Sequence, residues 1–323
     1  MPDLSHACRV LVTGGFGFVG RYLLPALAAA LPADAEVIAT GNAPDNAFDA
    51  HNVRTIALDV TSPDQVRDAV AQNRPTLVFH LAAVSTVHGA KQSIRETWDV
   101  NFGGTLNVAL AILETAPACR LIQCSSALVY GSSVPTERPI DEHAPLNPDT
   151  AYGASKAAAD LMVGQMAVQG LRAIRLRPFN HTGPGQNESF VVPAFAAQIA
   201  RIERGQQDPV MYVGGLDNRR DFLDVRDVVD AYVKAVLCFD ALPNGCVINI
   251  ASGRAWPIRT VLDTLLACSQ KKITIIQDEQ RMRISENSIM LGSWQVAHTL
   301  LDWSPRIEFS STLAAVLDYY RRA

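Results

Sequence analysis

The chain has 323 residues, of which 48% are hydrophobic, enough for one large domain or two closely packed domains with a sizeable core. Its net charge of −4 and pI of about 6.0 exclude the basic surface typical of nucleic-acid-binding proteins. The six cysteines lack C-x-x-C or metal-ligand spacing, so we expect reduced thiols in a cytoplasmic protein without a metal site. We expect neither a signal peptide nor a membrane span, because no apolar run has the required pattern or length.

Apolar runs alternate with helical segments along the first half of the chain, which predicts an α/β fold with a parallel, doubly wound sheet. The predicted strands are Val10–Thr13, Glu36–Thr40, Val53–Leu58, Leu77–Leu81, Arg120–Cys124 and Leu171–Leu176. The predicted helices are Val19–Ala30, Pro63–Gln72, Thr97–Ala116 and Pro148–Gln169. Ligands of such sheets bind at the carboxyl ends of the strands, where the first glycine-rich turn, Ser126 and Asn180 all fall.

The pattern changes after Pro178. Further helices are predicted at Val192–Arg204, Pro257–Ala267 and Thr312–Arg321, and a further buried strand at Val247–Ile250. We therefore predict two domains. A Rossmann domain would comprise residues 1–177 plus 225–252, and a smaller mixed α/β lobe for the substrate would comprise residues 178–224 plus 253–323.

A glycine-rich turn follows the first predicted strand, with Gly14, Gly17 and Gly20 spaced three residues apart. Glycines allow the backbone to approach a pyrophosphate, and the N-terminus of the following helix favours negative charge. The spacing differs by one residue from the dinucleotide pattern of the larger Rossmann class. Taken alone, the segment is also consistent with an ordinary tight turn.

Tyr152 and Lys156 are four residues apart in a predicted helix and therefore project from one face, about one turn apart. An ammonium group beside a phenol favours the phenolate, so we expect Lys156 to lower the pKa of Tyr152. The pair would then exchange protons near neutral pH. Many exposed helices carry this spacing by chance, so the prediction depends on its combination with the glycine turn and with Ser126 upstream.

Five ordered motifs together resemble the extended short-chain dehydrogenase/reductase family, whose members act on nucleotide-sugars. The motifs are Thr13–Gly20, His80–Ala83, Asn101–Thr105, Ser125–Gly131 and Tyr152–Lys156. Two further segments, 177–186 and 213–227, are similar to those of GDP-4-keto-6-deoxy-D-mannose reductases, which form GDP-D-rhamnose. GDP-mannose 4,6-dehydratases share several of these segments.

The resemblance implies roles for individual residues. Tyr152 would be the general acid, Ser126 would polarise the substrate carbonyl, and Lys156 would hydrogen-bond the nicotinamide ribose. The implied cofactor-binding residues are Gly14, Gly17, Phe18, Val19, Asp59, Val60, Leu81, Ala82, Ala83, Tyr152 and Lys156. The implied substrate-binding residues are Ser126, Asn180, Arg220 and Arg283.

Several of these assignments have alternatives. The two arginines suit bidentate contact with a diphosphate, but surface salt bridges are the alternative, and a register shift would substitute Arg219 or Arg281. Asn180 is also consistent with a turn asparagine, and Asn101 with a structural role. His181 is assigned no catalytic role.

Sugar 4,6-dehydratases carry an acid after the catalytic Ser or Thr, where this chain has Ala127 and Leu128. Neither side chain can transfer a proton, so we do not expect elimination. The resemblance then implies reduction of the 4-keto group of a nucleotide-linked 6-deoxyhexose, converting GDP-4-keto-6-deoxy-D-mannose to GDP-D-rhamnose. A nucleotide-sugar epimerase that retains its NAD is the alternative. A non-catalytic dinucleotide-binding regulator is disfavoured by the intact Ser/Tyr/Lys set.

The second predicted strand ends at Thr40-Gly41-Asn42, with no acid before Asp45. An acid at this place would favour NAD, so we predict NADP as the cofactor and keep NAD as the alternative. Arg21 is a candidate for binding the 2′-phosphate, unless it is a helix-surface arginine. The resemblance also implies a homodimer formed through the helices at 97–116 and 148–169.

Overall fold

The computed structural model describes residues 8–42, 53–85, 93–132, 138–278 and 289–323. The strands in chain order are β1 (Arg9–Thr13), β2 (Glu36–Gly41), β3 (Val53–Ala57), β4 (Leu77–His80), β5 (Arg120–Cys124), β6 (Ala173–Pro178), β7 (Asn180–Thr182), β8 (Val210–Val213), β9 (Arg219–Asp224), β10 (Val247–Ile250), β11 (Ala255–Pro257), β12 (Thr274–Gln277) and β13 (Ile289–Met290). The α-helices are α1 (Phe18–Ala30), α2 (Pro63–Asn73), α3 (Ile94–Trp98), α4 (Gly104–Thr115), α5 (Ala151–Val168), α6 (Val191–Glu203), α7 (Val225–Leu237), α8 (Ile258–Ala267), α9 (Gln295–Leu301) and α10 (Phe309–Arg322).

Seven parallel strands form the central sheet in the order β10-β6-β5-β4-β1-β2-β3. Successive side chains of a strand point to opposite faces, and both faces are covered, so the three central residues of β1, Val10 to Val12, are all apolar. Val10 and Val12 pack in the core on the side of α1 and α7, whereas Leu11 packs in the core on the side of α2 and α4. This arrangement confirms the predicted doubly wound α/β fold.

The remaining strands form two small sheets. β9 lies between β11, which is antiparallel to it, and β13, which is parallel to it, and β7 also pairs with β9. β8 and β12 form a separate parallel pair. A distinct apolar core joins these strands to α6, α8 and α10, with the rings of Phe222 and Phe309 stacked 5.2 Å apart. The division of the chain at residues 178, 225 and 253 stays a prediction.

One predicted helix differs in its details. The helix expected over Thr97–Ala116 begins at Ile94 and winds as a π-helix over Asp99–Gly103 before α4 begins. Two consecutive glycines, Gly103 and Gly104, disfavour regular α-helix here, and π-bulges often occur at functional sites. Within the described residues, no helix has both the length and the apolar character that a membrane crossing requires.

Candidate active site

The glycine turn joins β1 to α1 at the carboxyl edge of the central sheet. Gly14 has a φ of +67°, and a Cβ built on it would lie 2.7 Å from the backbone nitrogen of Ala82. Any side chain there would therefore collide with the segment that follows β4. Gly17 caps α1 without a side-chain hydrogen bond, so the first N–H groups of the helix have no side-chain acceptor at the cap.

The segment after β4 lies directly behind this turn. Leu81 N donates to the carbonyl of Thr13 at 3.1 Å, and Ala82 N donates to the Thr13 hydroxyl at 3.4 Å. Leu81, Ala82 and Ala83 are partly exposed, as are Phe18 and Val19 at the start of α1. The structure thus brings together the two predicted cofactor segments, which are 60 residues apart in sequence.

Asp59 and Val60 follow β3, at the same edge of the sheet. Leu58 N donates to the carbonyl of Gly41 at 2.8 Å, which holds this segment beside the end of β2. Asp59 Oδ1 accepts hydrogen bonds from the backbone N–H and the hydroxyl of Thr61. The side chain of Val60 is buried, while that of Asp59 remains partly exposed at the predicted adenine position.

These residues fit a dinucleotide cofactor. A turn of glycines without side chains, followed by a helix start without a side-chain cap, suits the pyrophosphate of such a group. The carboxyl ends of β1, β2, β3 and β4 are the edge at which doubly wound sheets bind dinucleotides.

The helix that carries Tyr152 and Lys156 starts against the turn of residues 126–130, which we call the serine turn. α5 begins at Ala151, and Thr150 caps it by accepting a hydrogen bond from Gly153 N at 3.0 Å. A Cβ on Gly153 would lie 2.6 Å from the carbonyl oxygen of Leu128, so only glycine permits this close approach. The approach brings Tyr152 within hydrogen-bonding contact of Ser126.

Ser126 and Lys156 are held by backbone groups. The Ser126 hydroxyl accepts a hydrogen bond from Leu128 N at 3.2 Å, which starts a 3₁₀ turn at the end of β5. Lys156 is 3% exposed, and its Nζ donates to the carbonyl of Cys124 at 2.8 Å. The serine, the tyrosine and the lysine therefore converge at the end of one strand.

The expected lowering of the Tyr152 pKa is wrong for this structure. Burial is the largest effect and raises the pKa of Tyr152 to about 12, and the hydrogen bond with Ser126 offsets this only in part. The Lys156 ammonium donates to the Cys124 carbonyl, and burial lowers the pKa of Lys156. The phenol is therefore protonated at neutral pH and suited to donate a proton.

Asn101 lies in the π-helical segment and ties the site to the chain after β4. Its Oδ1 accepts from Val84 N at 2.8 Å, and its Nδ2 donates to Ser155 Oγ at 3.0 Å. Ser155 in turn donates to the carbonyl of Tyr152 at 2.9 Å. These contacts favour a structural role for Asn101, because its side-chain amide is hydrogen-bonded to Ser155 on α5 and to Val84 after β4.

His80 joins the same region from beneath. Thr105 donates to the Asn101 carbonyl at 2.6 Å, so it accepts from His80 Nε2–H at 3.0 Å, and Thr13 donates to His80 Nδ1 at 2.7 Å. Burial lowers the pKa of His80 to about 3, with a contribution from the charge of Lys156. A neutral imidazole thus connects β1, β4 and α4.

Two of the predicted substrate residues, Asn180 and Arg220, lie on the small sheet around β9. Asn180 pairs with Phe222 in the β7–β9 register, and Arg220 lies two positions away on β9. Residues two apart on a strand share a face, so Asn180 and Arg220 are on one face and Arg219 is on the other. Arg283 and Arg281 lie outside the described residues.

Arg220 interacts electrostatically with the start of α5, the helix that carries Tyr152 and Lys156. Asp149, which directly precedes the Thr150 cap, is the opposite charge that acts on the pKa of Arg220, although burial dominates and lowers that pKa. Arg220 is partly buried, whereas Arg219 is exposed. The geometry therefore favours Arg220 over Arg219 as the arginine of the site.

His181 lies at the contact between the two parts of the site. Its ring stacks on Phe18 with centroids 6.4 Å apart, and its Nδ1–H donates to the carbonyl of Phe179 at 3.0 Å. Tyr22 donates to the Pro184 carbonyl at 2.7 Å, one helical turn along α1. The start of α1 is therefore packed against the loop that follows Asn180.

The sequence interpretation missed a second group of buried polar residues. Asp221 accepts hydrogen bonds from Ser252, Gly253 and Gly292, and burial raises its pKa to about 6. Asp221 is adjacent to Arg220 on β9, so its side chain is expected on the opposite face of the strand. Its hydrogen-bond partners Ser252 and Gly292 lie 31 and 71 residues away, and no local sequence pattern reveals them. Asp160 carried a stronger signal, since it lies four residues after Lys156.

Known proteins share this architecture. The model of the family described as NAD dependent epimerase/dehydratase matches residues 10–251. The chain belongs to this family. It is 34% identical to the GDP-6-deoxy-D-mannose reductase of Pseudomonas aeruginosa over 310 residues, which cover 96% of each chain.

Two further similarities extend the comparison. The chain is 28% identical to a UDP-glucose 4-epimerase of Streptomyces lividans, over 92% of this chain and 91% of the relative. A solved structure of RMD from Pseudomonas aeruginosa complexed with NADPH superposes with a TM-score of 0.82 at 32% identity, over 98% of this chain and 99% of that chain. These matches confirm the predicted family and fold.

Proposed function

We propose that this protein reduces the 4-keto group of a nucleotide-linked 6-deoxyhexose with NADPH, converting GDP-4-keto-6-deoxy-D-mannose to GDP-D-rhamnose. The observation that carries the proposal is the convergence of Ser126, protonated Tyr152 and Lys156 beside the glycine turn. Similarity to the reductase of Pseudomonas aeruginosa over 96% of both chains supports the substrate class.

The cofactor would lie along the edge formed by Gly14, Gly17 and the 81–83 segment, with Asp59 and Val60 beside its adenine. When bound, it supplies the hydride that reduces the carbonyl carbon. Tyr152 donates the proton that the developing alkoxide requires, since burial keeps its phenol protonated. Ser126 donates a hydrogen bond to the same oxygen and polarises it.

Lys156 contributes through its charge and its position. It is buried one helical turn from Tyr152 and stabilises negative charge that develops near the phenol. Its Nζ carries three protons, of which one is donated to the Cys124 carbonyl, so it retains donors for the nicotinamide ribose.

The substrate would extend from this centre across β9. Arg220 and Arg283 bind the diphosphate, for which guanidinium groups provide paired donors. Asn180 contacts the sugar or the nicotinamide side of the site from β7, on the same sheet face as Arg220. The negative charge of Asp149, at the start of α5, acts on Arg220 and favours its charged form.

NADPH is favoured over NADH at the end of β2. Thr40-Gly41-Asn42 offers no carboxylate to repel a 2′-phosphate. Arg21 on α1 donates to the carbonyl of Phe16, whose ring lies against Gly41. The similar RMD structure is complexed with NADPH, which supports the same choice here.

The assembly would be a cytoplasmic homodimer. Leu110 on α4 and Leu161 on α5 are exposed by 40% and 59%, and α4 and α5 pack side by side. A second copy that covers this apolar face would form a four-helix interface. All six cysteines are free, which supports a reducing compartment.

An epimerase that retains its NAD is the second candidate, supported by the 28% identity with the UDP-glucose 4-epimerase of Streptomyces lividans. The two functions are separated by following absorbance at 340 nm with NADPH, then NADH, after GDP-4-keto-6-deoxy-D-mannose is made in situ. We expect stoichiometric consumption of NADPH. The absence of consumption, together with nicotinamide cofactor released from the denatured protein, would contradict the reductase proposal and favour the epimerase.

A further inference from the structure

A buried ion pair lies behind the Ser/Tyr/Lys centre. Asp160 follows Lys156 by one helical turn on α5, and its side chain is completely buried. Its carboxylate accepts from Arg177 Nε at 2.9 Å and from Arg177 Nη2 at 2.7 Å, a bidentate contact between α5 and β6. Arg175 adds a third hydrogen bond, from Nη1 to Oδ1 at 3.0 Å.

Arg177 also hydrogen-bonds a residue of the serine turn. Arg177 Nη1 donates to the Tyr130 hydroxyl at 2.9 Å, and that hydroxyl donates to Asn249 Oδ1 at 2.7 Å. Tyr130 is fully buried and closes the 3₁₀ turn that begins with Ser126. Since Tyr130 N also donates to the Ala127 carbonyl at 3.1 Å, the position of this ring fixes the path of the turn.

A third segment meets the network through the Tyr130 ring. Tyr130 packs on Phe179, with ring centroids 6.4 Å apart, and Phe179 directly precedes Asn180. The guanidinium of Arg177 therefore contacts the helix that carries Tyr152 and, through Tyr130, both the serine turn and the substrate segment.

Apolar side chains of similar volume could fill this space with equal or greater stability, because two buried charges must be desolvated. What the ion pair adds is direction. Its hydrogen bonds hold α5, β6 and the serine turn at fixed distances and angles, as a reaction between converging groups requires.

We propose that Asp160, Arg177 and Tyr130 are positioning residues that set Ser126 relative to Tyr152 and Lys156. The inference rests on the proposed reduction, in which a single carbonyl oxygen must meet both Ser126 and Tyr152. None of the three touches the substrate; they act through the elements that carry the catalytic side chains.

Tyr130→Phe is the most informative variant, because it removes the hydroxyl link and leaves the ion pair intact. We expect kcat to fall about 10- to 100-fold, the effect of misplacing reacting groups by up to about 1 Å. KM for the sugar nucleotide and the Kd for NADPH should change less than about threefold. The deuterium isotope effect on kcat with NADPH labelled at the transferred hydrogen should rise, because the chemical step becomes more limiting.

Thr312→Val is the matched control. It also removes a fully buried hydroxyl, which donates to Asp224 Oδ2 at 2.8 Å, but Thr312 lies on α10 away from the serine turn. We expect a lower Tm with wild-type kcat and isotope effect.

Arg177→Lys keeps the positive charge but loses the bidentate guanidinium contact with Asp160, and it should lower kcat more than Tyr130→Phe does. The loss of kcat in the double variant should be smaller than the product of the two single losses. Unchanged kcat and isotope effect in folded Tyr130→Phe, with only Tm lowered, would overturn the proposal and leave a purely structural network. A wild-type protein that does not oxidise NADPH would instead contradict the proposed function.

Discussion

Replacing Tyr152 by phenylalanine tests the centre of the proposed chemistry. The substitution keeps the ring and removes only the hydroxyl that contacts Ser126 and that would protonate the product alkoxide. Loss of a positioned general acid costs about 10²- to 10⁴-fold in rate. This corresponds to about 3–5 kcal/mol of lost transition-state stabilisation, at 1.36 kcal/mol for each factor of ten.

The assay is single-turnover oxidation of NADPH at 340 nm, with NADPH affinity measured separately by fluorescence. We expect the variant to bind NADPH as the wild type does, since the glycine turn is untouched. Tyr320→Phe is the matched control, because it removes a partly buried tyrosine hydroxyl on α10 that donates to the Gln186 carbonyl. A Tyr152→Phe variant that keeps more than about a third of the wild-type rate would refute the assignment.

The pH dependence provides an independent check on the same residue. A general acid must be protonated, and the pKa of Tyr152 is raised to about 12, so the wild-type rate should be constant from neutral pH to about pH 10 and fall only above that. A rate that falls tenfold per pH unit already above pH 7 would contradict this. It would mean that Lys156 and the bound cofactor together outweigh the effect of burial.

Three further outcomes follow from other parts of the structure. Arg220→Met should raise KM for the sugar nucleotide at least about tenfold without changing NADPH affinity, whereas Arg219→Met, on the opposite face of β9, should leave both near wild type. Leu161→Glu, at an exposed apolar position on α5, should produce monomers in size-exclusion chromatography with light scattering, whereas Tyr212→Glu, exposed in the lobe, should not. Burial lowers the pKa of His80 to about 3, so the neutral imidazole stabilises the folded state above the unfolded pKa of about 6.5. As the pH falls from 6.5 towards 3, the free energy of unfolding should decrease by about 5 kcal/mol. In urea unfolding, His80→Gln should therefore be less stable than wild type at pH 8 but lose less free energy of unfolding between pH 6.5 and pH 4; an equal loss would show that another group is responsible.

The central sheet was predictable because its strands are short apolar runs with helices between them. Val10–Thr13, Arg120–Cys124 and Val247–Ile250 were each placed within a residue of the observed strand. The lobe was harder to predict, because β9 reads as a charged segment, Arg219 to Asp224. Two of its charged residues are buried there by partners from distant loops and α10, and a burial that depends on such partners leaves no periodic signal.

The candidate catalytic residues could be predicted from motif spacing, but their electrostatics could not. The i, i+4 spacing placed Tyr152 and Lys156 on one helix face, as observed. It could not reveal that the Lys156 ammonium donates to Cys124, or that burial dominates the pKa of Tyr152. Both depend on how closely α5 approaches the end of β5, a distance set by Gly153 against Leu128.

The acids around the serine turn bear on which reaction this centre supports. Elimination of water from a sugar needs an acid or base besides the tyrosine, and Ala127 and Leu128 offer none. Two described acids nearby accept hydrogen bonds from other residues. Glu142 accepts from Asn249 N at 2.7 Å, and Asp160 is held by Arg177.

We therefore expect Tyr152 to carry the proton transfer. One proton donor and one hydride are what a carbonyl reduction consumes, and an epimerase would use the same two in both directions. The two reactions then differ in whether the oxidised cofactor leaves. The amount of nicotinamide cofactor that stays with the purified protein therefore separates the reductase from the epimerase.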